Sequence, residues 1–157
     1  MKRLSKIREF LALILFLPGL VLAGAETQKV LYHLDSGDPG KQRDVLRMIQ
    51  NHINAVEPAR IDLLVVLNGN GISLLLERDA LSRTRDTAPA GAGQQLIAEV
   101  DNLRVQGVHF LVCGASLRTR NVDWETDLHH VENKQVLENG MLAMVRLQQE
   151  GYSYLKP

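Results

Sequence analysis

The sequence has one cysteine in 157 residues, so no disulfide closes within a chain, and its own sulfurs assemble neither a thiolate-rich zinc site nor an iron–sulfur cluster. Aromatic residues make up 4%, too few for platforms that stack bases or sugars. Excess charge of one sign is also missing: 18 basic residues stand against 18 acidic ones, which argues against a phosphate-backbone binder. There is no internal repeat, coiled coil or low-complexity tract. With 45% apolar and 23% charged residues, what remains is the composition of one globular domain.

The N-terminus stands apart from that average. Lys2, Arg3, Lys6 and Arg8 precede an apolar run from Phe10 to Ala23, broken only by Pro18-Gly19, and Ala23-Gly24-Ala25 follows. A basic start, a short apolar centre and a small-x-small cut site form the pattern of a secretory signal, with cleavage expected after Ala25. The run is shorter than the roughly 20 residues that an unbroken spanning helix needs, and a retained membrane anchor is the alternative reading. Cleavage leaves residues 26–157 as a single domain, 132 residues with a formal charge of −3, large enough to bury a core without disulfides or metals. The expected location is the periplasm, with no stable membrane insertion after cleavage.

From Glu26 onward, strand-like and helix-like segments alternate. Val30–Leu34 is a short apolar run ended by the turn cluster Asp35-Ser36-Gly37-Asp38-Pro39-Gly40, in which Asp38 suits a helix N-cap and Pro39 the first helical position. Val45, Met48, Ile49, His52, Ile53 and Val56 then mark one helical face, ending at Glu57-Pro58. Ile61–Leu67 is an almost unbroken apolar run of the kind found in strands covered on both faces. Ile72–Glu77 suggests a short helix, and the polar stretch from Arg78 to Gly93 an exposed excursion. Leu96, Ile97, Val100 and Leu103 predict a core-facing helix capped at Gly107, and Val108–Cys113 a third strand. Leu117–Glu132 carries little pattern. Val136-Leu137 suggests a short fourth strand, Gly140–Glu150 a helix with Met141, Met144 and Val145 on one side and Gly151 as its cap, and Tyr152–Leu155 a last strand. This order predicts an α/β domain with a mostly parallel sheet of about five strands.

In open parallel sheets ligands bind beyond the carboxyl ends of the strands. Three glycine-containing loops fall there: Ser36–Gly40, Asn68–Gly71 and Cys113–Ser116. Their backbone amides can approach a ligand closely, although strand-to-helix turns need small residues in any case. None matches a phosphate-binding P-loop or a dinucleotide fingerprint. Cys113 carries the most chemistry: at a strand end before a turn, amides and a helix dipole lower a thiol pKa and favour a nucleophilic thiolate, whereas a buried cysteine often acts only as a small apolar side chain. His109 points to the same face as Cys113 if the strand is regular, and Arg118 and Arg120 are placed either to hold an anion or simply to be solvated.

The histidines at 33, 52, 109, 129 and 130 show neither HxxxH nor HExxH spacing, so no metal is expected, and adjacent His129 and His130 would face opposite ways in a strand. There is no GxSxG nucleophile elbow. Asp123, Glu125 and Asp127 suggest an exposed acidic strip. No cofactor is expected.

In order, the segments KVLYHLDSGDP, IDLLVVLNGNGISLLL, VHFLVCGASLRTRNVDW and NGMLAMVRLQQEGYSYLKP resemble the DsrE/DsrF-like family of small α/β proteins, which includes bacterial sulfur-relay components; the resemblance covers nearly all of residues 28–157. It implies a three-layer α/β/α domain that forms homo-oligomers, commonly trimers or hexamers. It also implies that Cys113 receives sulfane sulfur as a persulfide and passes it to a partner's thiol, with the amides of Gly114 to Ser116 steadying the thiolate and Asn68 and Gly69 in the neighbouring loop. Gly71 and Arg118 complete the candidate ligand-binding set, and no nucleic acid is expected as a partner. Two departures stand out: this chain carries an export pattern, and Glu138-Asn139 precedes Gly140 where relatives often show Pro-Ser. The alternative reading is a non-catalytic oligomeric module that binds a small anionic or thiol ligand, with Cys113 merely packed.

Overall fold

The computed structural model describes residues 27–56, 60–80, 83–84 and 94–157. The secretory pattern of residues 1–25 and most of the excursion before Gly93 therefore lie outside the described residues. Strands β1 (Gln28–Leu34), β2 (Ile61–Leu67), β3 (His109–Cys113), β4 (Val136–Leu137) and β5 (Ser153–Leu155) form one sheet in the order β4-β3-β2-β1-β5, every neighbouring pair parallel. The helices are α1 (Pro39–Val56), α2 (Gln94–Val105), α3 (Gly114–Arg120) and α4 (Gly140–Gln149), with a 3₁₀ segment at Gly69–Leu75.

The strand order fixes where the helices go. From β1 to β4 the chain winds outward in one direction, and right-handed crossovers put the intervening helices on one face. The last crossover, from β4 back past β1 to β5, runs the other way and carries α4 onto the opposite face. Side-chain alternation then sorts each strand between two cores. Tyr32, Leu34, Val65 and Phe110 pack with Leu46, Ile49 and Leu96 on the first face, while Leu31, Leu64 and Val66 pack against Met144 of α4 on the second. Among the described residues one helix, α4, covers this second face, so the layer is thin.

Several sequence expectations hold in atomic detail. Asp38 caps α1, its Oδ1 accepting from the Lys41 amide at 2.8 Å. Gly107 and Gly151 follow α2 and α4 with φ of 93° and 94°, the left-handed conformation open to glycine without penalty. The expected face of α1 is rotated: Gln42, Val45, Leu46, Ile49 and Ile53 are buried and Met48 is 45% exposed. The polar Gln42 belongs to the buried face because its Nε2 donates to Ser73 Oγ at 2.9 Å and to the Ser36 carbonyl at 3.0 Å. On α4 the expected apolar side is mostly uncovered; Met144 is buried, whereas Met141 and Val145 are 57% and 50% exposed.

The unpatterned stretch after α3 is ordered by polar contacts. Asp127 is buried, correcting the expectation of an exposed acidic strip: its carboxylate accepts from the Asp123 amide at 2.9 Å and pairs with Arg83. Asp123 and Glu125 are exposed as expected. His129 and His130 lie in no strand, and their rings stack with centroids 4.0 Å apart. Among the described residues, no helix is long and apolar enough to cross a membrane.

Candidate functional site

Cys113 is the last residue of β3 and the cap of α3, with its backbone still extended at φ −78° and ψ 110°. Strand alternation sends its side chain to the second face, where the start of α4 meets it. Asn139 caps α4 through its Oδ1, which accepts from the Leu142 amide, and the following Gly140 N–H donates to Cys113 Sγ at 3.2 Å. Gly140 can only be glycine here without a shift: a Cβ would sit 2.9 Å from Cys113 Cβ and 3.2 Å from Sγ. The Gly140 backbone is thus a roof over the sulfur, and Cys113 is 3% exposed in the single chain.

Two opposing effects act on the thiol. Burial pushes its pKa up, and hydrogen bonds from the Ser116 side chain and the Gly140, Ser116 and Ala115 amides pull it down. The hydrogen bonds win, and the thiol ionises below the ordinary cysteine value. Ser116 links this sulfur to the loop after β2. Its hydroxyl lies 2.7 Å from Asn68 Oδ1 and accepts from the Gly69 N–H at 2.9 Å, while the same N–H donates to Asn68 Oδ1 at 2.8 Å. A serine hydroxyl has one proton: here it goes to Asn68 Oδ1, and turned to Sγ it would steady a thiolate.

The expected glycines divide by role. Gly69 adopts φ 53°, which aims its N–H at both Asn68 and Ser116. Gly71 is buried, and a Cβ there would lie 2.0 Å from the Leu34 carbonyl oxygen; its place is a backbone crossing over the end of β1. Gly114 lets α3 pass the Leu137 carbonyl, which a Cβ would approach to 2.8 Å. Arg118 is exposed with its guanidinium over the start of α3, and Arg120 bonds Asn70 Oδ1 through Nη2 at 2.7 Å. The structure therefore brings Cys113, Gly114, Ser116, Asn68 and Gly69 together, with Arg118 at the rim and Gly71 packed below. His109 shares the Cys113 face but is exposed at the far end of β3.

Sequence reasoning missed Gly140. An Asn-Gly pair opening a helix was a visible cap signal, but only the sheet order shows that α4 starts over β3. It also missed His33, whose ring is buried on the Cys113 side of the sheet with Nδ1 2.7 Å from Tyr154 Oη. Desolvation keeps His33 below the ordinary histidine value, and Lys156 and Asp35 close the neighbouring strand ends with a 2.6 Å ion pair.

A search of solved structures finds MTH1491 from Methanobacterium thermoautotrophicum, described as a protein of unknown function, with a TM-score of 0.64 and 25% identity over 83% of this chain and 99% of that one. A comparison with curated proteins returns no match. The sequence profile of the DsrE/DsrF-like family matches residues 28–157, the whole of the described sheet and its helices, and the chain belongs to that family.

Proposed function

We propose that this protein is an exported sulfur carrier of the sulfur-relay type, with Cys113 as the acceptor atom. The observation that supports it is the set of donors converging on one sulfur, Ser116 from α3 and the Gly140 amide from α4, whose net effect favours the thiolate. In the reaction, the Cys113 thiolate attacks the outer sulfur of a donor persulfide. A new S–S bond forms on Cys113, the donor's S–S bond breaks, and its electron pair leaves with the donor thiolate. Attack by a partner's thiolate on the Cys113 persulfide delivers the sulfur onward by the same exchange, so neither step needs an oxidant or reductant. Ser116 and the amides stabilise the negative charge before attack, and Arg118 at the rim attracts an anionic donor.

Because the Gly140 roof covers Sγ, the transfer requires the first turn of α4 to lift. That cover has no side chain, and its outer surface is continuous with exposed Met141, Leu142 and Val145. The same apolar surface is the proposed contact between copies in a homo-oligomer. The basic-apolar-small pattern of residues 2–25 supports export to the periplasm, with residues 26–157 as the mature domain.

The 3% exposure of Cys113 favours a second reading, a binding module in which the sulfur is only packed. Intact mass after incubation with a low-molecular-weight persulfide separates the two. The carrier gains one sulfur atom that reductant removes and Cys113→Ser cannot hold; the module gains none while folded.

A further inference from the structure

Three segments remote in sequence meet at a place unconnected with Cys113. Asp101 comes from α2, His129 and His130 from the loop 121–132, and Glu77 from the chain after the 3₁₀ segment. His129 Nε2 lies 3.0 Å from Asp101 Oδ2, and its Nδ1 lies 3.1 Å from Glu77 Oε1. His130 has a left-handed backbone, φ 47°, and lays its ring on that of His129 with 21° between the planes. One donor atom each from Asp101, His129 and His130 fall within 4.8 Å of one another.

The proton inventory shows what this arrangement lacks. A neutral imidazole has one N–H and one lone pair, and a carboxylate offers only lone pairs. His129 faces carboxylates with both nitrogens, so in its neutral form one contact sets lone pair against lone pair unless a cation lies between them. Arg104, whose Nη1 is 3.1 Å from Asp101 Oδ1, balances one of the two carboxylates and leaves the group one positive charge short. A second proton on His129 supplies that charge but makes no use of His130. A metal ion supplies it and gains a third donor.

We propose that Asp101, His129 and His130 bind a divalent transition-metal ion of the zinc type, with Glu77 as the positioning residue that accepts the His129 Nδ1 proton and leaves Nε2 free for the metal. A carboxylate on the non-ligating ring nitrogen is the usual companion of a zinc-bound histidine. Zinc bonds of about 2.0–2.2 Å to nitrogen and oxygen put tetrahedral donors roughly 3.4 Å apart. The Asp101–His129 pair is already near that separation, and the exposed His130 ring closes the remainder by turning about its side chain. A water completes the site. The ion ties the loop 121–132 to α2, a structural role that stands whether or not Cys113 carries sulfur.

The test is a zinc titration of the purified chain, free of any histidine tag, in competition with a chromophoric chelator, repeated with cobalt(II) for its visible spectrum. One ion per chain is expected, with the intense bands of tetrahedral cobalt and a melting temperature raised by zinc. His130→Ala and Asp101→Asn each weaken binding at least about tenfold and abolish the thermal shift, while His109→Ala, an exposed histidine elsewhere, changes neither. Circular dichroism separates loss of a ligand from loss of fold, and exposed His130 is the position least able to disturb packing. No binding at micromolar zinc, or equal binding by wild type and both variants, overturns the proposal.

Discussion

A thiol ionises readily when the donors around its sulfur outweigh the loss of solvent, and at Cys113 the balance rests on few atoms. Ser116 supplies both a side-chain and a backbone hydrogen bond to the sulfur. Ser116→Ala removes the first and also the acceptor that holds the Gly69 amide, so the thiol pKa is expected to rise toward the ordinary cysteine value, read from the ultraviolet absorbance of the thiolate against pH. Asp127 gives a pH prediction of a different kind. Burial raises its carboxyl pKa, but the Asp123 amide, Arg83 and Thr126 more than offset this and hold it below the ordinary carboxylate value. Its contribution to stability is therefore complete above the ordinary value and fades as pH falls through the depressed folded one. Asp127→Asn should cost about 1–3 kcal/mol near neutral pH and lose most of that cost in acid, measured by urea unfolding at several pH values. The sequence marked Cys113, Ser116 and Asn68 as candidates because strand ends and turn residues are local signals. It could not show that Asp127 is buried, because the Arg83 partner lies 44 residues away.

Elements are placed here by backbone contact as much as by side chains. Gly140 starts α4 directly over Cys113, and Gly140→Ala forces a Cβ to 2.9 Å from the cysteine Cβ. The first turn of α4 must then move outward. The expected result is a loss of about 1–3 kcal/mol of unfolding free energy in urea, together with faster alkylation of Cys113, a pairing that simple overpacking without a roof would not give. The strands and long helices were legible from apolar periodicity and cap residues, as Asp38 at α1 and Gly107 after α2 show. The face of α1 was misjudged at Met48 because a hydrophobic pattern cannot anticipate that Gln42 is satisfied by Ser73 and Ser36 and joins the buried side. The stretch after α3 had no periodicity to read. Its order comes from contacts such as the Asp127 carboxylate on the Asp123 amide and the Glu132–Gln135 capping box.

For the molecule as a whole, the reversal of winding at β1 leaves one sheet face under several helices and the other, among the described residues, under α4 alone. Met141, Leu142 and Val145 on α4, with Tyr154 and Leu155 on edge strand β5, stay exposed as large apolar groups. Such a surface beside a short open strand edge is the kind that self-association covers. Light scattering is expected to give a mass above that of one chain, and the double variant Met141→Lys, Val145→Lys to give the single-chain mass with unchanged circular dichroism. The mostly parallel α/β sheet was legible from the order of segments and the three layers from the family resemblance, whereas the uncovered face was not, because α4 has the apolar residues of a buried helix and only the topology shows how few of them meet the sheet.

The carrier proposal requires the Cys113 thiol of the folded protein to ionise below the ordinary cysteine value and to become reachable by a small electrophile when the first turn of α4 opens. The rate of iodoacetamide modification of the native chain against pH tests it directly, with the global unfolding rate measured alongside. Modification faster than unfolding is expected, with a half-maximal pH below that of free cysteine. Modification no faster than unfolding at every pH means that the folded protein keeps its sulfur sealed, and rules the carrier reading out.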